Sequence, residues 1–334
     1  MPREVIARYV DPLAAVWLGA AARIGLRVVR TPDAYAATDG TGTLAIGDPA
    51  TLDADDSLAQ MIFHELCHSL VEGERSFARP DWGMDNTGPD HDWREHACLR
   101  VQWVLTGRYG LRGLFAPTTD FRAFWDRLGG NVLADRSDRS VIAAIAALRR
   151  VDLPPWSPVL TDALVATQTI ALAAAPFATS STLRAETPPA KHPTGLFAGT
   201  ATGTCGTCAW RANAKCRQTN ATIDPSWPAC ERHEAELDCQ TCGACCRAAY
   251  HSVEVSRRDP VVKRQPAYIV DRTTYLEVIR NGDRCGALDG GEPDGDRVTR
   301  YACKIYDDRP RTCREFTLGS AHCLTARRRV GLSL

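Results

Sequence analysis

The sequence lacks a long hydrophobic run: no stretch reaches the 18 uninterrupted apolar residues that a bilayer-spanning helix needs, so no membrane segment is expected. It also lacks a charge excess. Lysine plus arginine and aspartate plus glutamate stand at 40 each, so the global charge gives no argument for nucleic acid or an anionic membrane as partner. A convincing export signal is missing as well. Arg3 and Arg8 precede the apolar residues 12–22, but Glu4 and Asp11 cancel the positive lead and the run is short. This predicts a first amphipathic helix and a soluble, cytoplasmic protein. Cysteine is scarce at first, too. Only Cys67 and Cys98 occur before residue 205, each inside a predicted helix, where a small buried thiol is the expectation.

What is present is enough for more than one core. At 334 residues with 44% hydrophobic content, the chain predicts two or three domains. It is organised around residues 61–71, which contain His64-Glu65-x-x-His68. On an α-helix, residues four apart share a face, so the two imidazoles can reach one metal. Glu65 follows about 100° round the cylinder, where it can hold a water on that metal and take its proton. Ile62, Leu66 and Leu70 fall on the side away from the histidines, the pattern of a buried helix with one polar edge on a cleft. Ser57 and Gln60 predict a capping box, the acidic residues Asp53 to Asp56 suit the helix dipole, and Gly73 can end the helix.

A catalytic zinc takes three protein ligands and leaves a position for water. The third is sought on a second helix, where Asp90 or Asp92 can cap. Trp93, Ala97, Val101 and Val104 form its expected apolar stripe, with Glu95 on the other side beside His91 and Leu99. Glu95 is preferred, and His96 and His91 stay open. Here the first 130 or so residues resemble the gluzincin-type metallopeptidases, including the short ImmA/IrrE-like ones, in which a second helix supplies an acidic third ligand. The resemblance implies that His64, His68 and Glu95 bind zinc and that Glu65 is the general base. The third histidine of the metzincins is absent, with Glu74 in its place.

Around these helices, residues 26–30 and 43–46 read as strands with a turn at 38–42, and the loop 79–89 is rich in turn formers that can wall a cleft. A strand before such a helix suits an extended peptide adding its backbone to the sheet edge. Residues 120–128, 140–150 and 158–175 show helical periodicity without chemistry. Residues 179–204, rich in Thr, Ser, Pro, Gly and Ala, read as a linker. The expected domains are therefore 1–178, a four-cysteine knuckle at 205–236, and a cysteine cluster at 237–325.

The remaining cysteines follow the linker. Without an export signal they suggest a metal or iron-sulfur framework rather than disulfides. Cys205, Cys208, Cys216 and Cys230 can complete one four-sulfur site for zinc or a cluster. The second group is Cys239, Cys242, Cys245, Cys246, Cys285, Cys303, Cys313 and Cys323. Its C-x-x-C-G-x-C-C run and the Cys303-Lys-Ile-Tyr-Asp-Asp-Arg-Pro-Arg-Thr-Cys313 segment resemble the YkgJ-type cysteine-cluster family, which implies zinc or iron chelation. The adjacent Cys245 and Cys246 are expected to serve different metals or corners. Arg247, Arg309, Arg311 and Arg314 can offset thiolate charge, whereas residues 327–329 read as a solvated arginine tail.

The expectation is thus an α+β protein. A mostly helical zincin-like domain with a small sheet would cleave a protein or peptide with zinc. A small irregular C-terminal module would hold further zinc or iron-sulfur clusters for regulation or recognition. The alternative is a redox or peptide-modifying protein in which the first domain is a scaffold.

Overall fold

The computed structural model describes residues 9–53, 56–84, 92–178, 190–199 and 201–334. Its helices and small sheets make an α+β fold. Among the described residues no helix is long and apolar enough to cross a membrane. The chain divides into two compact units, Met1–Gly129 with Ala147–Pro189, and Gly130–Ala146 with Ala190–Leu334.

In the first unit, α1 (Pro12–Ile24) starts where the Asp11 carboxylate accepts the Leu13 and Ala14 N–H groups at 2.9 and 3.2 Å. It ends at Gly25, whose φ of 103° requires glycine. Trp17, Ala20, Ala21 and Ile24 are buried along one face, so this run is a packed helix. Strands β1 (Arg27–Thr31), β2 (Ala36–Thr38) and β3 (Thr43–Gly47) form a sheet in the order β1-β3-β2. β3 runs parallel to β1 and antiparallel to β2. The Asp39 carboxylate shapes the turn before β3, accepting the Thr41 and Thr43 N–H groups at 2.7 and 2.9 Å. β2 was not expected, because Ala-Ala-Thr carries little strand signal. Pairing with β3 decides it.

The helices α2 (Leu58–Glu72), α3 (Asp92–Tyr109), α4 (Arg122–Arg127), α5 (Arg139–Arg150) and α6 (Val159–Ala174) follow. α2 lies between α1 and α3, with Ile62, Phe63, Leu66 and Leu70 fully buried. Each such side chain contributes roughly 1.5–3 kcal/mol. Trp17, Phe63 and Phe115 interlock with ring centroids 4.7–5.4 Å apart. The Ser57 hydroxyl accepts the Gln60 N–H at 3.1 Å, but the return half of the capping box does not form. The Gln60 amide instead donates to the buried carbonyl of Ala116. At the other end Arg150 binds the carbonyls of Leu70 and Val71, and Trp156 donates to Ser69 at 2.8 Å.

The second unit is built from short pieces in the order β4 (Arg211–Ala212), β5 (Lys215–Cys216), α7 (Cys239–Cys242), α8 (Ala244–Arg247), β6 (Glu254–Val255), α9 (Pro260–Arg264), β7 (Ile269–Asp271), β8 (Leu276–Val278), β9 (Arg280–Asn281), β10 (Arg284–Cys285), β11 (Leu288–Asp289), β12 (Pro293–Asp294), β13 (Arg297–Val298), β14 (Ala302–Cys303), α10 (Arg311–Arg314) and α11 (Ala321–Arg329). β6, β8 and β7 make a three-stranded antiparallel sheet, and the other strands pair in twos. Helices this short are held by tertiary packing and whatever their side chains bind.

Three sequence-based expectations change here. Residues 130–146 group with the second unit, because Arg139 N–H donates to the Asp296 carbonyl at 2.8 Å and Ile142 packs with Cys242, Ala326 and Leu332. The linker reading does not hold from residue 190 onward. Ala198 bridges Cys230, and Gly199 N–H donates to Ala229 at 2.8 Å; residues 179–189 and 200 lie outside the described residues. The arginines at 327–329 are not a solvated tail. Arg327 is buried and paired with Glu234 at 2.6 Å, while Arg328 and Arg329 bind the carbonyls of Gln218 and Ala249 at 2.9 and 2.6 Å.

Candidate functional site

α2 and α3 bring together His64, His68 and Glu95. Glu95 Oε1 lies 3.2 Å from His64 Nε2, Glu95 Oε2 lies 3.1 Å from His68 Nε2, and the two Nε2 atoms are 3.1 Å apart. Three donors bound to one zinc at 2.0–2.1 Å in tetrahedral geometry stand about 3.3 Å apart, so this triangle is close to the size zinc requires. Two imidazoles and a carboxylate are also a donor set zinc accepts. Burial works against charge on His64, but the Glu95 carboxylate prevails and raises its pKa from 6.5 to about 10. Burial likewise opposes ionising Glu95, yet His68 and His64 hold its carboxyl well below the usual range. The pocket therefore favours a positive charge shared among these groups.

Further groups fix the triangle. Gln102 donates its amide N–H to the Phe115 carbonyl, which leaves its Oε1 to accept the Nδ1–H of His64 at 3.0 Å. His64 is thereby held with its Nε2 edge toward Glu95 and His68. Glu65 is buried beside them, and the indole N–H of Trp82 donates to its Oε2 at 2.7 Å. Trp82 sits in the 79–89 loop at φ 57°, an uncommon backbone state for a bulky residue. The loop was expected to wall a cleft, and Asp81, Trp82 and Met84 do line the cavity with His64, Glu65 and His68. That cavity has a volume of about 840 Å³. β2 lines it as well, whereas the strands expected from sequence, β1 and β3, stand behind.

Of the two alternatives for the third donor, His96 stacks on Phe124 with ring centroids 3.9 Å apart and is not in the donor group. His91 lies outside the described residues. The apolar stripe expected on α3 holds in part: Ala97 and Val101 are fully buried, while Trp93 and Val104 are only half-buried and the buried face also takes in Cys98, Leu99, Gln102, Leu105 and Thr106. Gln102 and Thr106 can be buried because each is hydrogen-bonded. Cys98, read from sequence as a plain buried thiol, lies 3.8 Å from His64 Nδ1, and its Sγ falls in one donor group with His64, His68 and Glu95, a ligand atom of each lying within 4.8 Å of the others. Burial and the Cys67 thiol keep Cys98 well above the usual thiol range. Gln102 and Trp82 escaped the sequence reading. A lone glutamine seven residues after Glu95 was a legible signal; Trp82 left none.

In the second unit all the cysteines are free thiols. Cys205, Cys208, Cys216 and Cys230 line one small cavity with His192, Arg211 and Arg232. Cys239 and Cys242 close the single turn of α7, which the Asp238 carboxylate caps. Gly243 follows at φ 57°, where a Cβ would meet the Tyr301 ring at 2.8 Å, so the glycine of C-x-x-C-G-x-C-C is required by backbone and packing together. Cys245 packs with Cys242, whereas Cys246 packs with Cys285 and Cys303. Burial, reinforced by neighbouring thiols, raises Cys245 to about 12 and Cys313 to about 11. Among the arginines singled out in the sequence, Arg309 lowers the cost of charge at Cys303 and Cys313. Arg311 and Arg314 are engaged with Glu315 and Asp259, and Arg247 lies over Tyr301.

Residues 238–328 match the family model CxxCxxCC, described as "Putative zinc- or iron-chelating domain". No curated protein and no solved structure matches the chain. The matched segment thus carries the chemistry of a zinc- or iron-chelating cysteine domain. It begins after the Cys205–Cys230 group and does not reach the first unit.

Proposed function

We propose that the first unit is a zinc-dependent metallopeptidase acting on a specific protein or peptide, and that the cysteine-bearing second unit holds zinc or iron and serves regulation or recognition. The observation that carries this reading is the triangle of His64, His68 and Glu95 donors with Glu65 beside it in one large cavity. Zinc bound there would supply Lewis-acid polarisation of a scissile carbonyl and an activated water. The chain does the rest. Glu65 takes up the proton of the attacking water and returns it to the leaving amine. Trp82 holds one Glu65 oxygen, which leaves the other for that proton.

The outer strand β2 is occupied at its Thr38 end by Asp81 and by the Asp39–Pro80 bridge, and offers an extended substrate the edge at Ala36 and Ala37, which line the cavity. Asp53, Asp56, Asp81 and Asp120 also line the cavity and favour peptides bearing basic residues there. In the alternative reading, the cysteine module does redox or modifying work and the first unit is a scaffold. The family match in that module favours it. The Glu65→Gln variant separates the two. Cleavage of a mixed-sequence peptide library should fall by at least about 10²-fold with zinc content unchanged. Undiminished cleavage, or none by the wild-type protein, would sink the peptidase reading.

A further inference from the structure

We propose that Thr38, Asp81 and Trp82 form a latch that positions Glu65, so that the strand offering its edge to substrate also sets the aim of the base. The purpose of the latch rests on the peptidase reading, whereas the latch itself can be scored without any cleavage.

Glu65 is a flexible side chain on α2, buried beside His64 and His68, and a base that takes a proton from water must face that water in one orientation. The indole N–H of Trp82 gives it a partner at 2.7 Å. An indole is a rigid donor. Trp82 is buried and packs edge-on against Phe77 with ring centroids 5.4 Å apart, so the direction of its N–H follows from the backbone at residue 82.

That backbone is unusual. Asp81 and Trp82 have φ of 46° and 57°, followed by Gly83 at 78°. Two consecutive left-handed residues with side chains are costly, and burying a tryptophan does not require them, since an ordinary backbone can bury the same ring. β2 holds them in place. The Trp82 backbone N–H donates to Thr38 Oγ1 at 3.1 Å, and the Thr38 N–H donates to an Asp81 carboxylate oxygen at 3.1 Å. Both left-handed residues are thus tied to one buried threonine. Asp39 bridges Pro80 beside them. Gly40 permits the approach, because a Cβ there would stand 2.8 and 2.9 Å from backbone atoms of Arg79 and Pro80.

β2 therefore has two tasks on neighbouring residues. Ala36 and Ala37 line the cavity and are open to an added chain, whereas Thr38 is engaged by the loop that carries Trp82. Glu65, Trp82, Asp81 and Thr38 form one line of hydrogen bonds and backbone from α2 to the sheet edge. Thr38, Asp81 and Trp82 are positioning residues, since they act on the reaction only through Glu65.

The test is hydrogen exchange of the tryptophan indole N–H groups in the full-length protein by NMR, joined to steady-state kinetics on a library peptide that is cleaved. Trp82→Phe identifies the Trp82 signal. Trp17 and Trp156 serve as internal standards, since their indoles donate to Thr167 and Ser69 in the same unit at 3.1 and 2.8 Å. Thr38→Val keeps the shape and removes the acceptor. It should speed exchange of the Trp82 indole by at least about 10-fold and leave the two standards protected. Glu65→Leu should do the same, and Thr38→Ser, which keeps the hydroxyl, should return the slow exchange. Equal Trp82 exchange in Thr38→Val and the unmutated protein would overturn the latch. So would loss of protection at all three indoles together, because Thr38 would then hold the unit and not the loop. In the kinetics, Trp82→Phe and Thr38→Val should lower kcat about 10–100-fold with KM and zinc content kept, and Thr38→Ser should recover the rate. Unchanged kcat in both variants would overturn the positioning role and leave the peptidase reading standing. Absence of cleavage by the unmutated protein would sink that reading alone, with indole exchange still deciding the latch.

Discussion

Gln102 accepts the Nδ1–H of His64 at 3.0 Å while its own amide N–H is committed to the carbonyl of Phe115. The orientation of an imidazole on α2 is thus set from α3, with its Nε2 turned toward Glu95 and His68. Replacing Gln102 with leucine keeps the bulk and removes the acceptor. Zinc affinity of the first unit, read by competition with a chromophoric chelator, should weaken about 10–100-fold. The unpaired Phe115 carbonyl should cost the fold about 1–3 kcal/mol. Unchanged affinity would reduce Gln102 to a packing residue.

Arg327 and Glu234 form an ion pair with side chains only 4% and 10% exposed, and Trp210 donates to the same carboxylate at 3.0 Å. Removing one partner leaves a buried charge, with Arg136 at 3.7 Å as the remaining cation. Arg327→Met should therefore destabilise the second unit by about 3–5 kcal/mol, measured by hydrogen exchange of the α11 amides. Adding Glu234→Gln should restore much of that loss. A single-variant deficit under about 1 kcal/mol would mean that the pair does not hold α11.

The turn at Asp39 gives a pH dependence. Backbone N–H groups of Thr43 and Thr41 hold its carboxyl below the ordinary 3.8. A depressed folded-state pKa means that this stabilisation is present above pH 3.8 and is lost as pH falls below it. Asp39→Asn should be less stable than the unmutated protein at pH 6, and the difference should narrow steadily below pH 3.8 in urea unfolding of the first unit. A difference that stays constant down to pH 2 would exclude the carboxylate as its source.

Much of the first unit was legible because its signals are local. His64, Glu65 and His68 sit in a helix whose apolar positions, cap and final glycine agree with one another. Glu95 was reached by asking for a third donor on the next helix. β2 was not legible, since Ala-Ala-Thr is a strand only by virtue of its pairing with β3. The buried face of α3 was legible only in part, at Ala97 and Val101: Gln102 and Thr106 count as polar in any pattern, yet hydrogen bonds to carbonyls distant or near let them be buried.

In the second unit the chain itself supplies the sulfur count and the C-x-x-C-G-x-C-C run. Those follow from residue chemistry and spacing of a few positions. Which sulfurs meet does not, because Cys285, Cys303, Cys313 and Cys323 lie 39 to 77 residues beyond Cys246 and only folding sets their neighbours. The same limit applied to Arg327, which composition makes a tail and a buried carboxylate from residue 234 makes part of the core. Sequence determined which donors exist and which can share a helical turn; tertiary packing decided which donors from separate elements converge, since contact between distant residues is a property of the folded chain.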